Sequence, residues 1–92
     1  MVPGSGRGRF LSLVVDARGL VCPLPVLRLR KALLAQPVGT RVRLLATDAM
    51  AAVDVPHFCD GAGHRLIAQR DAPDGVTEFI VERGSAAPAP QE

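Results

Sequence analysis

The chain has 92 residues, 48% of them hydrophobic, with three Phe and neither Trp nor Tyr; this bounds it to one small domain with an aliphatic core and excludes a deep, enclosed active site. The formal net charge of +2 hides a division, since residues 10–47 hold six basic side chains against Asp16 alone, and residues 48–83 three against seven acids. No apolar run approaches the roughly 20 residues of a membrane span, and MVPGSGRGRF has no hydrophobic stretch ahead of a cleavage site, so a soluble cytoplasmic protein without membrane contact is expected, its two cysteines reduced.

Met1–Arg9 is rich in Gly, Pro and Arg, and SAAPAPQE, residues 85–92, in Ala and Pro. Both are expected to be disordered tails flanking one domain, residues 10–84. FLSLVVD (10–16) reads as a buried strand. From about Pro23 to Ala35 the pattern is helical: Val26, Leu29 and Leu33 stack with Leu27 and Leu34 beside them, while Arg28, Arg30 and Lys31 lie towards the opposite side. QPVG (36–39) breaks the helix, and TRVRLLAT (40–47) alternates as a second strand, parallel to the first through a right-handed crossover.

Asp48 and Asp54 are N-cap candidates and Pro56 suits a first helical turn, so the sequence predicts one turn of helix and then a separate helix over about Val55–Asp60. HRLIAQRD and VTEFIVER read as strands joined through APDG, where Asp74 and Gly75 are hairpin residues. The order is βαβαββ. It implies an α/β (α+β) two-layer sandwich, a four-stranded mixed sheet with both helices on one face.

The most informative stretch is GLVCPLP, residues 19–25. With Cys22 as N-cap, Pro23 takes the first helical position, where its missing N–H costs nothing, and Pro25 removes a second N–H. Cys22 is then held extended at a stiff loop tip. Gly19 supplies backbone freedom ahead of the site. The helix dipole, with Arg18 and Arg28 nearby, is expected to favour the thiolate, the form that acts as nucleophile. Asp16 and Asp48, both at strand ends beside the tip, are placed either to order the loop through backbone N–H groups or simply to cap. Cys59, following Phe58 on the second helix, is expected to be a buried structural thiol. His57, Cys59, His64 and Cys22 match none of the paired spacings of structural zinc sites, so no metal is expected.

The run DARGLVCPLPVL, from Asp16, resembles the CPxP signature of the TusA-like (SirA-like) sulfur carriers. ATDAMAAVDVPHFC, from Ala46, resembles the same family's second landmark, and the likeness covers Leu13 to about Arg83. The resemblance implies a cysteine, here Cys22, that accepts sulfane sulfur as a persulfide and passes it on, in a sulfurtransferase acting as a carrier between proteins and needing no cofactor. It implies as partners a donor such as a cysteine desulfurase or rhodanese and an acceptor relay protein or enzyme, with Arg18, Arg28 and Lys31 as partner-binding residues. Leu24 departs from members dedicated to tRNA thiolation, which resemble one another in an acidic residue between the prolines.

Two other functions compete. A non-catalytic regulatory or RNA-binding module would use Arg28, Arg30, Lys31, Arg41 and Arg43, but no Tyr or Trp is available to stack bases and direct nucleic-acid binding is not expected. A two-cysteine redox protein would need Cys22 and Cys59 within bridging distance.

Overall fold

The computed structural model describes residues 11–84; the tails expected at residues 1–9 and 85–92 lie outside them, as does Phe10. The elements are β1 (Leu11–Ala17), α1 (Leu24–Leu34), β2 (Arg41–Ala46), α2 (Ala51–Ala62), β3 (Arg65–Ala72) and β4 (Val76–Glu82), with a 3-10 turn, Pro73–Gly75, before the last strand. They form one sheet in the order β1-β2-β4-β3. β1 runs parallel to β2, whereas β4 is antiparallel to both of its neighbours. The expected βαβαββ sandwich with a mixed sheet is the fold observed.

Alternation along β2 decides which face is covered. Val42, Leu44 and Ala46 are wholly buried, while Arg41, Arg43 and Leu45 turn to the other face. From β4, Phe79 and Val81 join the buried side. Both helices bring a row at four-residue spacing, Pro25, Leu29 and Leu33 from α1 and Ala51, Val55 and Cys59 from α2. Side chains from both helices and from β1, β2 and β4 merge in one cluster. Each fully buried Leu or Phe there is worth about 1.5–3 kcal/mol. Leu27, expected beside that row, is instead exposed. It lies on the flank of α1 next to β1, the edge strand, while the Pro25–Leu29–Leu33 row, with Val26 partly buried beside it, faces the core.

The second helix also departs from expectation. It is continuous over Ala51–Ala62, with Met50 as its cap and Pro56 inside it. The first turn is built upstream of Asp54, by bonds from the N–H groups of Ala51 to Asp48 O (3.0 Å), Ala52 to Ala49 O (3.2 Å) and Asp54 to Met50 O (2.9 Å). Asp54 therefore belongs to the helix and does not cap it. Pro56 forfeits one ladder bond, but splitting the helix would break the Ala51–Val55–Cys59 face, and that burial outweighs a single bond. The α2 helix stops at Gly63, whose φ of 81° is left-handed and whose N–H returns to Cys59 O.

In the β3–β4 turn, Asp74 and Gly75 both adopt positive φ, 66° and 74°, as the Asp-Gly pair led one to expect. On the helix-free face Glu78 is buried, its carboxylate accepting from the guanidinium groups of Arg70 (2.6 Å) and Arg43. The bond from Arg70 foremost, with that from Arg43, holds its carboxyl below the usual range against the opposing effect of burial. At the end of the sheet remote from the β1 and β2 carboxyl termini, Arg83 exchanges backbone bonds with Gly39 and Thr40. There Gly84 N–H donates to Nδ1 of the buried His64 (2.9 Å). Burial, with Arg83 contributing, lowers the His64 pKa from 6.5.

Candidate functional site

β1 and β2 end side by side, Ala17 opposite Ala46, so the loops that leave them meet at one end of the sheet. Gly19, at φ 84°, turns the first loop and gives its N–H to Thr47 Oγ1 (2.9 Å), and Leu20 N–H returns to Ala17 O (3.2 Å). Asp16 serves this turn: it accepts from the Arg18 backbone N–H (3.1 Å) and from both Nε and Nη2 of the Arg18 guanidinium (2.8 Å each). Those Arg18 bonds bring the Asp16 pKa down to about 2. Arg18 is thereby committed to Asp16.

Asp48 ties the two loops together. Its Oδ2 accepts the N–H of Cys22 and its Oδ1 accepts that of Met50 at 3.2 Å, so one carboxylate orders the cysteine loop and also supplies the start of α2. Asp48 thus orders the loop through backbone N–H groups, and the cap of α2 is Met50 rather than Asp48. The Asp16 carboxylate orders the same loop within β1's own turn, through the backbone N–H and guanidinium of Arg18.

Cys22 is exposed and unpaired. It is not the N-cap expected: a turn closes first, with Leu24 N–H on Val21 O (2.8 Å), and α1 then starts at Leu24 with Pro23 as cap and Pro25 at the second helical position. The Cys22–Pro23 peptide is cis.

The sulfur donates a hydrogen bond to Oδ2 of Asp54, 2.8 Å away in the first turn of α2. This overturns the expected thiolate. The bond to Asp54 is the chief cause, and loss of hydration and the charges of Asp54 and Asp48 add to it; together they raise the Cys22 pKa above 9.0. The helix dipole, whose positive end resides on free N–H groups, is weakened here: Pro23 and Pro25 have none and Leu24 has spent its own on Val21, which leaves the first turn only that of Val26.

Of the basic side chains expected to meet partners, Arg28 and Lys31 line an open groove between α1 and β1, together with Leu24, Leu27, Val14 and Asp16. Arg41 and Arg43 turn to the helix-free face of the sheet, where Arg43 is bound to Glu78. The basic set therefore does not form one surface. Cys59 is buried on α2, and burial pushes its pKa up to about 11. Among the described residues, no three His, Cys, Asp or Glu side chains gather as a metal ion would require. Nor is any described helix long and apolar enough to cross a membrane.

Residues 13–83 match the family model of sulfurtransferase TusA. The chain belongs to the TusA family. It is 39% identical over 70 residues to the sulfur carrier protein TusA of Pseudomonas savastanoi pv. phaseolicola, covering 76% of this chain and 82% of that one. Against the sulfur carrier protein TusA of Pseudomonas syringae pv. syringae it is 35% identical over 71 residues, covering 77% and 83%. A crystal structure of a SirA-like protein from Desulfitobacterium hafniense superposes with a TM-score of 0.71 at 27% identity, covering 78% of this chain and 97% of that one.

Two residues of the candidate site escaped the sequence reading. Thr47 offers no pattern of its own. Asp54 was visible as part of the second family landmark, but the Asp-Val-Pro order also fits a helix start, and nothing local tells a cap from a partner for a sulfur 32 residues away.

Proposed function

We propose that this TusA-family chain is a cytoplasmic sulfur carrier that takes sulfane sulfur on Cys22 as a persulfide and delivers it to a partner protein. The observation that supports this most is the exposed, unpaired Cys22 sulfur, standing ahead of α1 on a loop fastened by Asp48. A sulfur so presented is reachable by another protein, and the small open site leaves donor and acceptor to complete each reaction centre. In loading, Cys22 loses its thiol proton and its sulfur attacks the terminal sulfur of the donor persulfide. The donor S–S bond breaks, a new S–S bond forms to Cys22, and the donor leaves as a thiol carrying one proton. Delivery repeats the exchange with Cys22 as the leaving thiol.

The donor is a cysteine desulfurase or rhodanese-type protein, and the acceptor a relay protein or enzyme. Arg28 and Lys31, beside the exposed Leu24 and Leu27, form the flank on which a partner rests. Leu24, where tRNA-thiolating relatives are acidic, points to an acceptor other than their relay. The test is intact mass after incubation with a cysteine desulfurase and cysteine, repeated with a rhodanese-type donor. Wild type gains one sulfur atom that a reductant removes, and Cys22→Ser gains none. Equal loading of Cys22→Ser, or no loading by any donor, sinks the proposal.

A further inference from the structure

Among the described residues, the charges that act on the Cys22 sulfur have one sign. From α2 comes Asp54, whose Oδ2 accepts the thiol proton at 2.8 Å. From the β2–α2 loop comes Asp48, fixed by the N–H groups of Cys22 and Met50. From the β1–α1 loop the cation at hand is Arg18, and its guanidinium is spent on Asp16. Arg28 of α1 acts on Asp16. Among the described residues a thiolate formed here is repelled by two carboxylates with no free cation opposing them, although sulfur transfer requires a thiolate.

We propose that Asp54 is the specificity-determining residue of the transfer, holding Cys22 as an unreactive thiol in the lone carrier and making it react preferentially with sulfur donors that present a positive charge beside the reacting sulfur. This rests on the carrier function proposed above. A donor cation that pairs with Asp54 removes the acceptor from the thiol and neutralises the charge that opposes ionisation. Val21 and Leu24 beside the cysteine, and Met50 and Val53 at the start of α2, are exposed apolar side chains. A partner that covers them dries the site and strengthens the new ion pair.

Three small disulfides of like size serve as probes: cystamine, which is cationic, 2-hydroxyethyl disulfide, which is neutral, and 3,3′-dithiodipropionate, which is anionic. In each, Cys22–SH attacks, the probe S–S bond breaks, a mixed disulfide forms on Cys22 and one probe thiol departs with the proton. Rates are read from the mass of the Cys22 peptide and divided by the rate of the same probe with mercaptoethanol, which removes differences in the leaving thiol. At pH 7 and low salt the wild type should favour the cationic over the anionic probe by roughly tenfold, a preference that salt erodes. Asp54→Asn should lose most of that preference and react faster with the neutral probe, its thiol titrating at lower pH. Asp54→Glu should retain the preference. Equal normalised rates in the wild type, or a preference untouched in folded Asp54→Asn, overturns the proposal. Should Asp54→Asn not fold, salt decides in the wild type: the cationic rate must fall and the anionic rate rise. Sulfur loading is measured separately, so a wild type that shows the charge preference but never loads refutes the carrier function, while one that loads without the preference refutes the role of Asp54.

Discussion

Removing the Asp48 carboxylate separates its mechanical effect from its electrostatic one, because the two have opposite signs for reactivity. Asp48→Ala deprives two backbone N–H groups of their acceptor, that of Cys22 in the first loop and that of Met50 at the start of α2. Each of these bonds, made to a partly exposed acceptor, is worth about 1 kcal/mol net. The substitution should therefore cost about 2 kcal/mol, or roughly 10 °C in Tm for a domain of this size. Asp48→Asn keeps one acceptor oxygen and should cost about half as much. Urea unfolding at pH 7 measures both, with unchanged m-values as the sign that the denatured state is unaltered. Because the Asp48 charge is among the causes that raise the Cys22 pKa, the alkylation profile of Cys22 should move to lower pH in both variants even as they lose stability. An Ala variant that loses less than about 0.5 kcal/mol, or a thiol that titrates at higher pH, would refute the assignment of Asp48 as the tie between the loops.

Cys59→Ala should cost about 1 kcal/mol, as point substitutions commonly do, and leave sulfur loading by a desulfurase at the wild-type level; reduced loading would return Cys59 to the chemistry. In the folded wild type, whose Cys59 pKa lies at about 11, iodoacetamide at pH 8 should modify Cys22 well before Cys59. His64 has a folded pKa below its ordinary 6.5, so the unfolded chain takes up the proton first. Stability should fall as pH is lowered through 6.5 and level off below the folded pKa, and His64→Gln should flatten that slope in Tm measured between pH 8 and 5.5. A Cβ on Gly84 would lie 1.7 Å from the Gly63 carbonyl oxygen. Gly84→Ala should consequently peel that segment from His64, cost about 1 kcal/mol with the lost hydrogen bond, and return the His64 pKa towards 6.5 by NMR titration.

The periodicities that determine the layers were plain in the residues. Val42, Leu44 and Ala46 alternate with Arg41, Arg43 and Leu45, and the Leu29–Leu33 spacing marks the buried face of α1, so the strands, the first helix and the covered face of the sheet followed from pattern alone, whereas the extent of α2 did not. The meeting of the Cys22 loop with Asp48 was legible for a related reason, since neighbouring parallel strands deliver their following loops to the same end. The protonation state of Cys22 was not legible. A proline-rich helix mouth suggests a dipole, but the prolines that stiffen the loop also remove the N–H groups on which the dipole's positive end depends. The opposing carboxylate comes from a helix whose start was misplaced, because the small Ala51 understates how far the buried row reaches towards Asp48. Glu78 was hidden likewise: nothing within VTEFIVE says that Arg43 and Arg70 converge on it from neighbouring strands.

The position of β4 between β2 and β3 has a consequence for synthesis. The strand made last is central, so a nascent chain that has emerged only through β3 can pair β1 with β2 but leaves β3 without a neighbour and Phe79 and Val81 missing from the core. Contacts this distant in sequence close late and together. Until they close, α2 lacks much of the floor on which it packs, and Asp54 has no fixed place from which to reach the sulfur. The growing chain thus carries a cysteine with the ordinary acidity of a free thiol, and the restraint that Asp54 adds is acquired only when the last strand of the sheet slides into its middle.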